Sequence, residues 1–227
     1  MTENRSEIEK FNRIAIEYSQ LHEQSVGASG EPIEYFAQYK IDCLKRLGIG
    51  PEAHLLDYGC GIGNLTTLLA QNFSHVTGFD PSTGSIEIAR NRLPSVTFYA
   101  DDSLVPQAAF DVAVLSGVLH HVPVAERTTV MTAAFSKLRL GGRTVIFEHN
   151  PYNPLTRRSV AACRFDDDAV LLAPREVREL LQKAGFSRIK QDYIVFFPKP
   201  FAWLRPLEPS LRFVFLGAQT MTIGYRD

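Results

Sequence analysis

A glycine-rich segment, Asp57-Tyr58-Gly59-Cys60-Gly61-Ile62-Gly63, follows a short apolar run that begins at His54. The next ten residues, 64–73, carry leucines at helical spacing. Glycine permits a tight turn and lets a ligand approach the backbone closely, as a strand-to-helix junction of this kind requires. Ligands of α/β sheets bind at the carboxyl ends of the strands. The segment therefore predicts an α/β fold with a ligand site at this turn.

Apolar runs alternate with helical patterns along the rest of the chain. Strands are predicted at 54–57, 76–80, 96–99, 110–115, 143–148, 189–197 and 213–225, and helices at 64–73, 82–92, 128–138 and 174–184. Near-continuous apolar strands separated by helices indicate a parallel sheet that is covered on both faces. We expect an α/β fold with a Rossmann-like, doubly wound, seven-stranded and mostly parallel sheet, preceded by an N-terminal helical lid.

A chain of 227 residues predicts one domain of ordinary enzyme size with a small extension. We expect residues 1–50 to form the N-terminal helical cap or lid and residues 51–227 to form the core. Elements of an acceptor site are expected around 149–170 and 196–212. Pro174 and Gly185 suit the start and end of the helix between these two regions.

The composition excludes several classes of function. The formal net charge is -1 and no long basic run is present, so neither nucleic acid nor an anionic membrane is expected to attract the whole chain. The three cysteines form no CxxC pair, and we expect no metal. A polar N-terminus and the absence of a long apolar stretch favour a cytoplasmic protein without stable membrane insertion, either a monomer or a homodimer.

The spacing of glycines and acids indicates which cofactor binds. The glycines alternate as G-x-G-x-G, whereas a dinucleotide loop has G-x-G-x-x-G. Asp57 would repel a pyrophosphate and attract the α-ammonium of an amino acid. Asp80, 23 residues further on, is placed to accept both hydroxyls of a ribose. Either Asp101 or Asp102, after the third strand, could accept an adenine amine, and we prefer Asp102.

From Leu55 to Glu148 the sequence resembles the cofactor-binding half of class I S-adenosylmethionine-dependent methyltransferases, especially the small-molecule branch called type 11 or type 12. In that family the loop of the form D-x-G-x-G-x-G holds the methionine part, and acids after the second and third strands hold ribose and adenine. Phe110–Ser116 and Leu119–Val122 match further family segments. The resemblance implies cofactor contacts from Tyr18, Asp57, Gly59, Cys60, Gly61, Gly63, Asp80, Pro81, Asp101, Asp102, Ser103 and Ser116.

Methyl transfer from a sulfonium needs alignment and exclusion of water, and it needs a general base only if the nucleophile loses a proton. His120 and His149 follow the fourth and fifth strands, and we predict both as catalytic residues. Packing against the cofactor, or capping of the next helix, is the alternative for His120. Glu148, His149 and Asn150 together could bind or deprotonate a polar acceptor.

The segments beyond the fifth strand leave two questions open. Arg157, Arg158 and Arg164 could bind an anionic acceptor, or they could form a solvated basic loop that pairs with residues 166–168. The aromatic residues of the C-terminal part are interpreted as core, in preference to an apolar acceptor site or a dimer surface. They are Phe196, Phe197, Phe201, Trp203 and Phe213.

These observations predict S-adenosylmethionine-dependent methylation of an oxygen, nitrogen or carbon atom of a small-molecule acceptor, in bacterial secondary-metabolite, lipid or sugar biosynthesis. The alternatives are an NAD(P)-dependent oxidoreductase and a non-catalytic S-adenosylmethionine-binding partner subunit. The glycine spacing and Asp57 disfavour the oxidoreductase. Nucleic acid is disfavoured as a substrate because the charge is even and no separate recognition domain is present.

Overall fold

The computed structural model describes residues 30–163 and 169–227. Its seven strands are β1 His54–Tyr58, β2 His75–Phe79, β3 Thr97–Tyr99, β4 Phe110–Ser116, β5 Leu138–His149, β6 Ser187–Ile194 and β7 Gln219–Tyr225. They form one sheet in the order β3-β2-β1-β4-β5-β7-β6. Only β7 runs antiparallel to its neighbours. The predicted Rossmann-like, mostly parallel sheet is thus confirmed.

Helices connect these strands and cover the sheet. They are α1 Ile33–Arg46, α2 Asn64–Asn72, α3 Thr83–Arg92, α4 Arg127–Lys137, α5 Pro154–Ala162, α6 Pro174–Lys183 and α7 Glu208–Leu211, with 3-10 turns at Asp102–Leu104, Leu119–His121 and Lys199–Leu207. Ser82 caps α3, because its hydroxyl accepts a hydrogen bond from the Ser85 N–H at 3.1 Å. None of the described helices has the length and apolar character needed to cross a membrane.

Two hydrophobic clusters cover the two faces of the sheet. In one, Ala37, Ile41 and Leu44 of α1 pack with side chains of β1, β4, β5 and β7. In the other, α4 and α6 pack against the alternate residues of β1, β4 and β5. The described part of the predicted cap, α1, therefore belongs to the hydrophobic core, while the division of the chain at residue 50 stays a prediction. Tyr18 lies outside the described residues.

The region after β5 differs from the prediction. Residues 154–162, where no helix was predicted, form α5, and Asn153 caps this helix by accepting the N–H groups of Leu155 and Thr156. The last strand begins at Gln219 rather than at residue 213. Asn150 and Asn153 bind the carbonyls of residues 215–217, so this stretch is held as a loop.

The glycine pair at 141–142 belongs to β5 and does not close the preceding helix. α4 ends at Lys137 and β5 begins at the next residue. The Gly141 N–H donates to the carbonyl of Arg226, and the Arg226 N–H donates to the carbonyl of Gly142. The pair therefore extends the β5–β7 ladder.

The aromatic residues after β6 were interpreted as core, and for three of them this was wrong. Phe201, Trp203 and Phe213 have 52%, 75% and 74% of their surface exposed. Polar side chains hold this segment instead: Glu208, 4% exposed, accepts the Tyr39 hydroxyl at 2.6 Å and the backbone N–H groups of 196 and 197. Because these contacts occupy the inner side, the aromatic rings face solvent.

Candidate cofactor and acceptor site

The glycine loop lies at the carboxyl end of β1, as predicted. Gly59, Gly61 and Gly63 have φ angles of 86°, 52° and 82°, the left-handed region that favours glycine. A Cβ atom on Gly59 would lie 2.5 Å from a methyl of Val118. The N–H groups of residues 59 and 60 donate to the Phe79 carbonyl at 2.7 and 2.9 Å. The loop is therefore fixed to the end of β2, beside the turn that follows β4.

Asp57 points into the interior at the start of this loop. Its side chain is 1% exposed and accepts a hydrogen bond from the Thr66 hydroxyl at 2.7 Å. Burial raises its pKa from 3.8 to about 6; Thr66 and Lys40 lower the pKa, and neighbouring Asp80 raises it. The carboxylate is thus incompletely compensated, so a cation bound beside it would be stabilised.

Asp80 connects the glycine loop to the start of α3. One carboxylate oxygen accepts the Gly61 N–H and the other accepts the Ser82 N–H, each at 2.9 Å. Burial nevertheless raises its pKa from 3.8 to about 6. Each carboxylate oxygen keeps a second acceptor position. The group can therefore accept two further hydroxyl donors from a ligand while it holds the loop in place.

The two acids after β3 have different environments. Asp102 accepts the Tyr58 hydroxyl at 3.0 Å and pairs with Lys137 Nζ at 3.0 Å; Lys137 is fully buried. Asp101 is exposed, and one of its oxygens accepts both the N–H and the hydroxyl of Ser103 at 2.9 and 2.7 Å. Asp102 is therefore occupied inside the protein, whereas Asp101 presents its carboxylate at the surface. The sequence indicated neither the buried lysine nor this difference.

Glu148, at the end of β5, organises the turn after β4. One carboxylate oxygen accepts the N–H groups of Val118 and Leu119 at 3.1 and 2.7 Å, and the other lies 2.6 Å from His120 Nδ1. Burial acts to raise the pKa of Glu148, but the His120 imidazole and these donors hold the pKa below its ordinary value. A buried glutamate and histidine thus fix the turn that contacts Gly59.

His149 is half-buried beside this pair. Its ring centroid lies 5.1 Å from that of His120. The strand register pairs it with Gln219, whose buried side-chain oxygen has no hydrogen-bond partner among the described residues. Asn150 is fully buried and donates to the carbonyls of residues 215 and 217. Glu148 and Asn150 therefore hold loops in place, a role that the sequence did not distinguish from acceptor binding.

Lys40 is a further polar residue at the site that sequence reasoning missed. It lies on the same face of α1 as the buried Ala37 and Leu44, with its ammonium 5.9 Å from the centroid of the Phe147 ring. Burial lowers its pKa to about 8, although Asp57 and Glu148 act to raise it. A lysine on an apolar helix face was the available signal.

The remaining residues predicted for the site differ in their exposure and lie on several elements. Cys60 is buried beneath the loop, Pro81 and Ser103 are exposed, and Ser116 is half-buried at the end of β4. Arg157 and Arg158 are exposed on α5. Arg164 and residues 166–168 lie outside the described part of the chain. Within that part, no group of three or more potential ligand side chains could hold a metal ion, and the three cysteines form no disulfide.

The family of the chain follows from its similarity to known proteins. Residues 33–191 match the model of a methyltransferase domain family. The chain belongs to the S-adenosylmethionine-dependent methyltransferases. It is similar to a trans-aconitate 2-methyltransferase of Methylobacterium radiotolerans, with 29% identity over 80% of this chain and 82% of that protein.

Solved structures support the fold of this methyltransferase. A methyltransferase of Thermotoga maritima, described as a possible histamine N-methyltransferase, matches with a TM-score of 0.70 and 20% identity over 96% of this chain and 98% of its own. The magnesium protoporphyrin IX methyltransferase of Synechocystis, solved with bound S-adenosylmethionine, has a TM-score of 0.56 and 18% identity over 84% and 78%. S-adenosylmethionine is the cofactor of this methyltransferase, so the oxidoreductase alternative is set aside.

Proposed function

We propose that this methyltransferase acts on a small molecule and that its acceptor atom is a carboxylate oxygen. The first part is supported by the similarity to a trans-aconitate 2-methyltransferase, and the methyl donor would be held by two carboxylates at the glycine loop, the buried Asp57 and the half-buried Asp80. The second part is supported by the same similarity and by the hydrogen bond that engages His120 with Glu148. When bound, S-adenosylmethionine supplies an electrophilic methyl group on a sulfonium.

The donor set fits an aminoacyl nucleoside. Asp57, buried and incompletely compensated, would hold the α-ammonium, and the Lys40 ammonium would hold the α-carboxylate. Asp80 has acceptor positions left for both ribose hydroxyls. For adenine we prefer Asp101 over Asp102, reversing the sequence preference, because Asp102 is engaged by Tyr58 and Lys137.

A carboxylate acceptor is compatible with the chemistry of the second half of the site. A carboxylate oxygen is unprotonated at neutral pH, so the protein needs to align it and exclude water, without removing a proton. Glu148 and His120 are buried and bonded to each other, and they hold the turn after β4. His149 and Gln219 would contact the acceptor at the strand ends. His120 is thus assigned to positioning rather than proton transfer.

The cofactor assignment is tested by calorimetric titration with S-adenosylhomocysteine, with NADH as a parallel control. We expect micromolar binding of S-adenosylhomocysteine alone. Asp80→Ala is expected to weaken this binding at least tenfold, about 1.4 kcal/mol. Glu87→Ala, an exposed acid on α3, is the matched control and should bind normally. Unchanged affinity in Asp80→Ala would refute the ribose assignment.

The acceptor assignment is tested by turnover with a panel that contains trans-aconitate and other small polycarboxylates, amines and phenols. Methyl ester formation on a carboxylic acid supports the proposal, while turnover only on amines or phenols contradicts it. His149→Ala should lower turnover and leave S-adenosylhomocysteine affinity intact. If binding were lost instead, His149 would be a residue of the cofactor pocket or of the folding core.

A further inference from the structure

An exposed apolar surface extends from the 3-10 segment Lys199–Leu207 to the loop before β7. Trp203 is 75% exposed, Phe213 74%, Phe215 58%, and Phe201 52%. Monomeric proteins seldom expose a contiguous apolar patch of this kind unless it binds something. We call this surface, residues 199–216, the aromatic face.

The aromatic face continues onto the start of α5. The side chains of Asn150 and Asn153 donate to the carbonyls of residues 215, 216 and 217, at 2.6 to 2.7 Å. These bonds tie the loop to the turn that carries Tyr152 and Leu155, which are 52% and 59% exposed. The exposed side chains therefore belong to one surface formed by two distant parts of the sequence.

The charge on this surface is positive. In residues 150–163 and 196–218 the only acid is Glu208, which is 4% exposed and bonded to Tyr39 and to two backbone N–H groups. The exposed basic residues are Lys199 and Arg212, with Arg157 and Arg158 on α5. The Arg212 guanidinium lies 4.6 Å from the centroid of the Phe213 ring. Within residues 150–163 and 196–218 the apolar side chains are thus interleaved with cations, and the carboxylate that Arg212 meets is Asp192 of β6, whose pKa this guanidinium acts to lower.

We propose that the aromatic face binds the surface of an anionic phospholipid bilayer. Tryptophan and phenylalanine insert at the headgroup level, while lysine and arginine are attracted by anionic lipids. A second copy of this chain fits less well, because a two-fold interface would place the same arginines against one another. Single-stranded nucleic acid uses aromatic stacking, which gives no role to the exposed Leu207, Val214 and Leu216.

The position of the face connects it to the methyltransferase site. His149 ends β5 and pairs with Gln219, which begins β7, so the segments that carry the face emerge beside these two residues. This is the same edge of the sheet at which the glycine loop follows β1. A bilayer bound to the face therefore lies at the acceptor end of the site, while the cofactor loop sits beyond it along the sheet edge.

The proposal is tested by co-sedimentation of the full chain with two kinds of vesicle. One is pure phosphatidylcholine, and the other contains about a third phosphatidylglycerol. We expect binding to the anionic vesicles, weakened by salt, and at least tenfold weaker binding by the double variant Trp203→Ser/Phe213→Ser. Arg212→Gln is expected to weaken it about fivefold, which corresponds to about 1 kcal/mol per basic residue near the surface.

Matched controls separate this face from the rest of the surface. Leu140→Ser removes a leucine that is also 75% exposed but lies at the other end of β5, and Lys183→Gln removes an exposed charge on α6. Both controls should bind vesicles like the unmodified chain. All variants should keep their affinity for S-adenosylhomocysteine, a readout that does not depend on the lipid.

Four results would overturn the proposal. One is that the unmodified chain does not sediment with anionic vesicles. Another is that the double variant sediments with them as well as the unmodified chain does. A third is that light scattering shows the unmodified chain to be a dimer and the Trp203→Ser/Phe213→Ser variant to be a monomer. This result would make the aromatic face a protein interface. Tight binding of single-stranded oligonucleotides, lost in the double variant while vesicle binding is absent, would assign the face to nucleic acid.

Discussion

Asp57→Asn is expected to make the protein more stable and less able to bind its cofactor. The side chain is 1% exposed, and burial raises its pKa from 3.8 to about 6. At neutral pH the fold therefore holds a carboxylate that would be more favourable in its neutral form. Asparagine is close to a neutral copy of this side chain and retains an oxygen that can accept the Thr66 hydroxyl.

The magnitude follows from the two pKa values. Their difference is about 2.2, and at about 1.36 kcal/mol per pKa unit this corresponds to about 3 kcal/mol at neutral pH. Because the folded pKa lies above the ordinary one, protonation favours the fold. The penalty is fully present above pH ~6 and disappears as the pH falls towards about 4. The stabilising effect of Asp57→Asn should therefore shrink over the same range.

Urea unfolding of the ligand-free protein at neutral pH and near pH ~4 measures this effect. We expect the free energy of unfolding to rise by about 1–3 kcal/mol in Asp57→Asn at neutral pH, and S-adenosylhomocysteine binding to weaken at least tenfold. Thr66→Val, which removes the hydroxyl donor alone, is the matched control and should lower stability. A destabilised Asp57→Asn would refute the desolvation argument, and unchanged binding would refute the ammonium assignment.

Three other predictions concern charges at the site. Glu148→Ala should lower the free energy of unfolding by about 3–5 kcal/mol, since it leaves buried N–H donors without an acceptor. Glu148→Gln, which keeps an acceptor oxygen, should lower it by about 1–2 kcal/mol. Equal losses of the two variants in urea unfolding would contradict the importance of this acceptor oxygen. Asp102→Ala should lower the melting temperature because it leaves the buried Lys137 without this carboxylate partner. Asp101→Ala should weaken only cofactor binding, as measured by calorimetry. The reverse result would favour Asp102 as the adenine-binding residue, as the sequence analysis preferred. The affinity for S-adenosylhomocysteine should fall as the pH drops through about 6, where Asp57 and Asp80 become protonated; a flat calorimetric profile down to pH ~5 would contradict this.

Much of the cofactor half could be predicted from the sequence because its signals are local. The alternation of apolar runs and helical patterns reflects how each segment buries its own side chains, and it indicated the strands of the sheet, whose order only the structure supplied. The glycine loop and Asp57 are contiguous, so their positions followed from one turn. Asp80 follows the neighbouring strand, and parallel neighbours bring their carboxyl ends together.

The errors arose where a side chain depends on a partner far along the chain. The position of Asp102 depends on Lys137, 35 residues later, and nothing in the local pattern distinguishes it from Asp101. Glu148 receives donors from residues about 30 positions earlier, so its structural role emerged only when β4 and β5 were paired. The segment around Phe213 has the apolar composition of a strand, yet it forms a loop. The Asn150 side chain donates hydrogen bonds to the carbonyls of this loop.

The sequence by itself determined the element types up to β5, the cofactor loop and the class of cofactor, since each rests on backbone conformation or on charge within a few residues. The tertiary structure decided which polar side chains remain available to a ligand. It brought Lys40 from α1 to the buried carboxylates, occupied Asp102 and Glu148 with internal partners, and left Trp203 facing solvent. Hydrogen bonds and burial are long-range properties of a packed chain, and periodicity does not encode them.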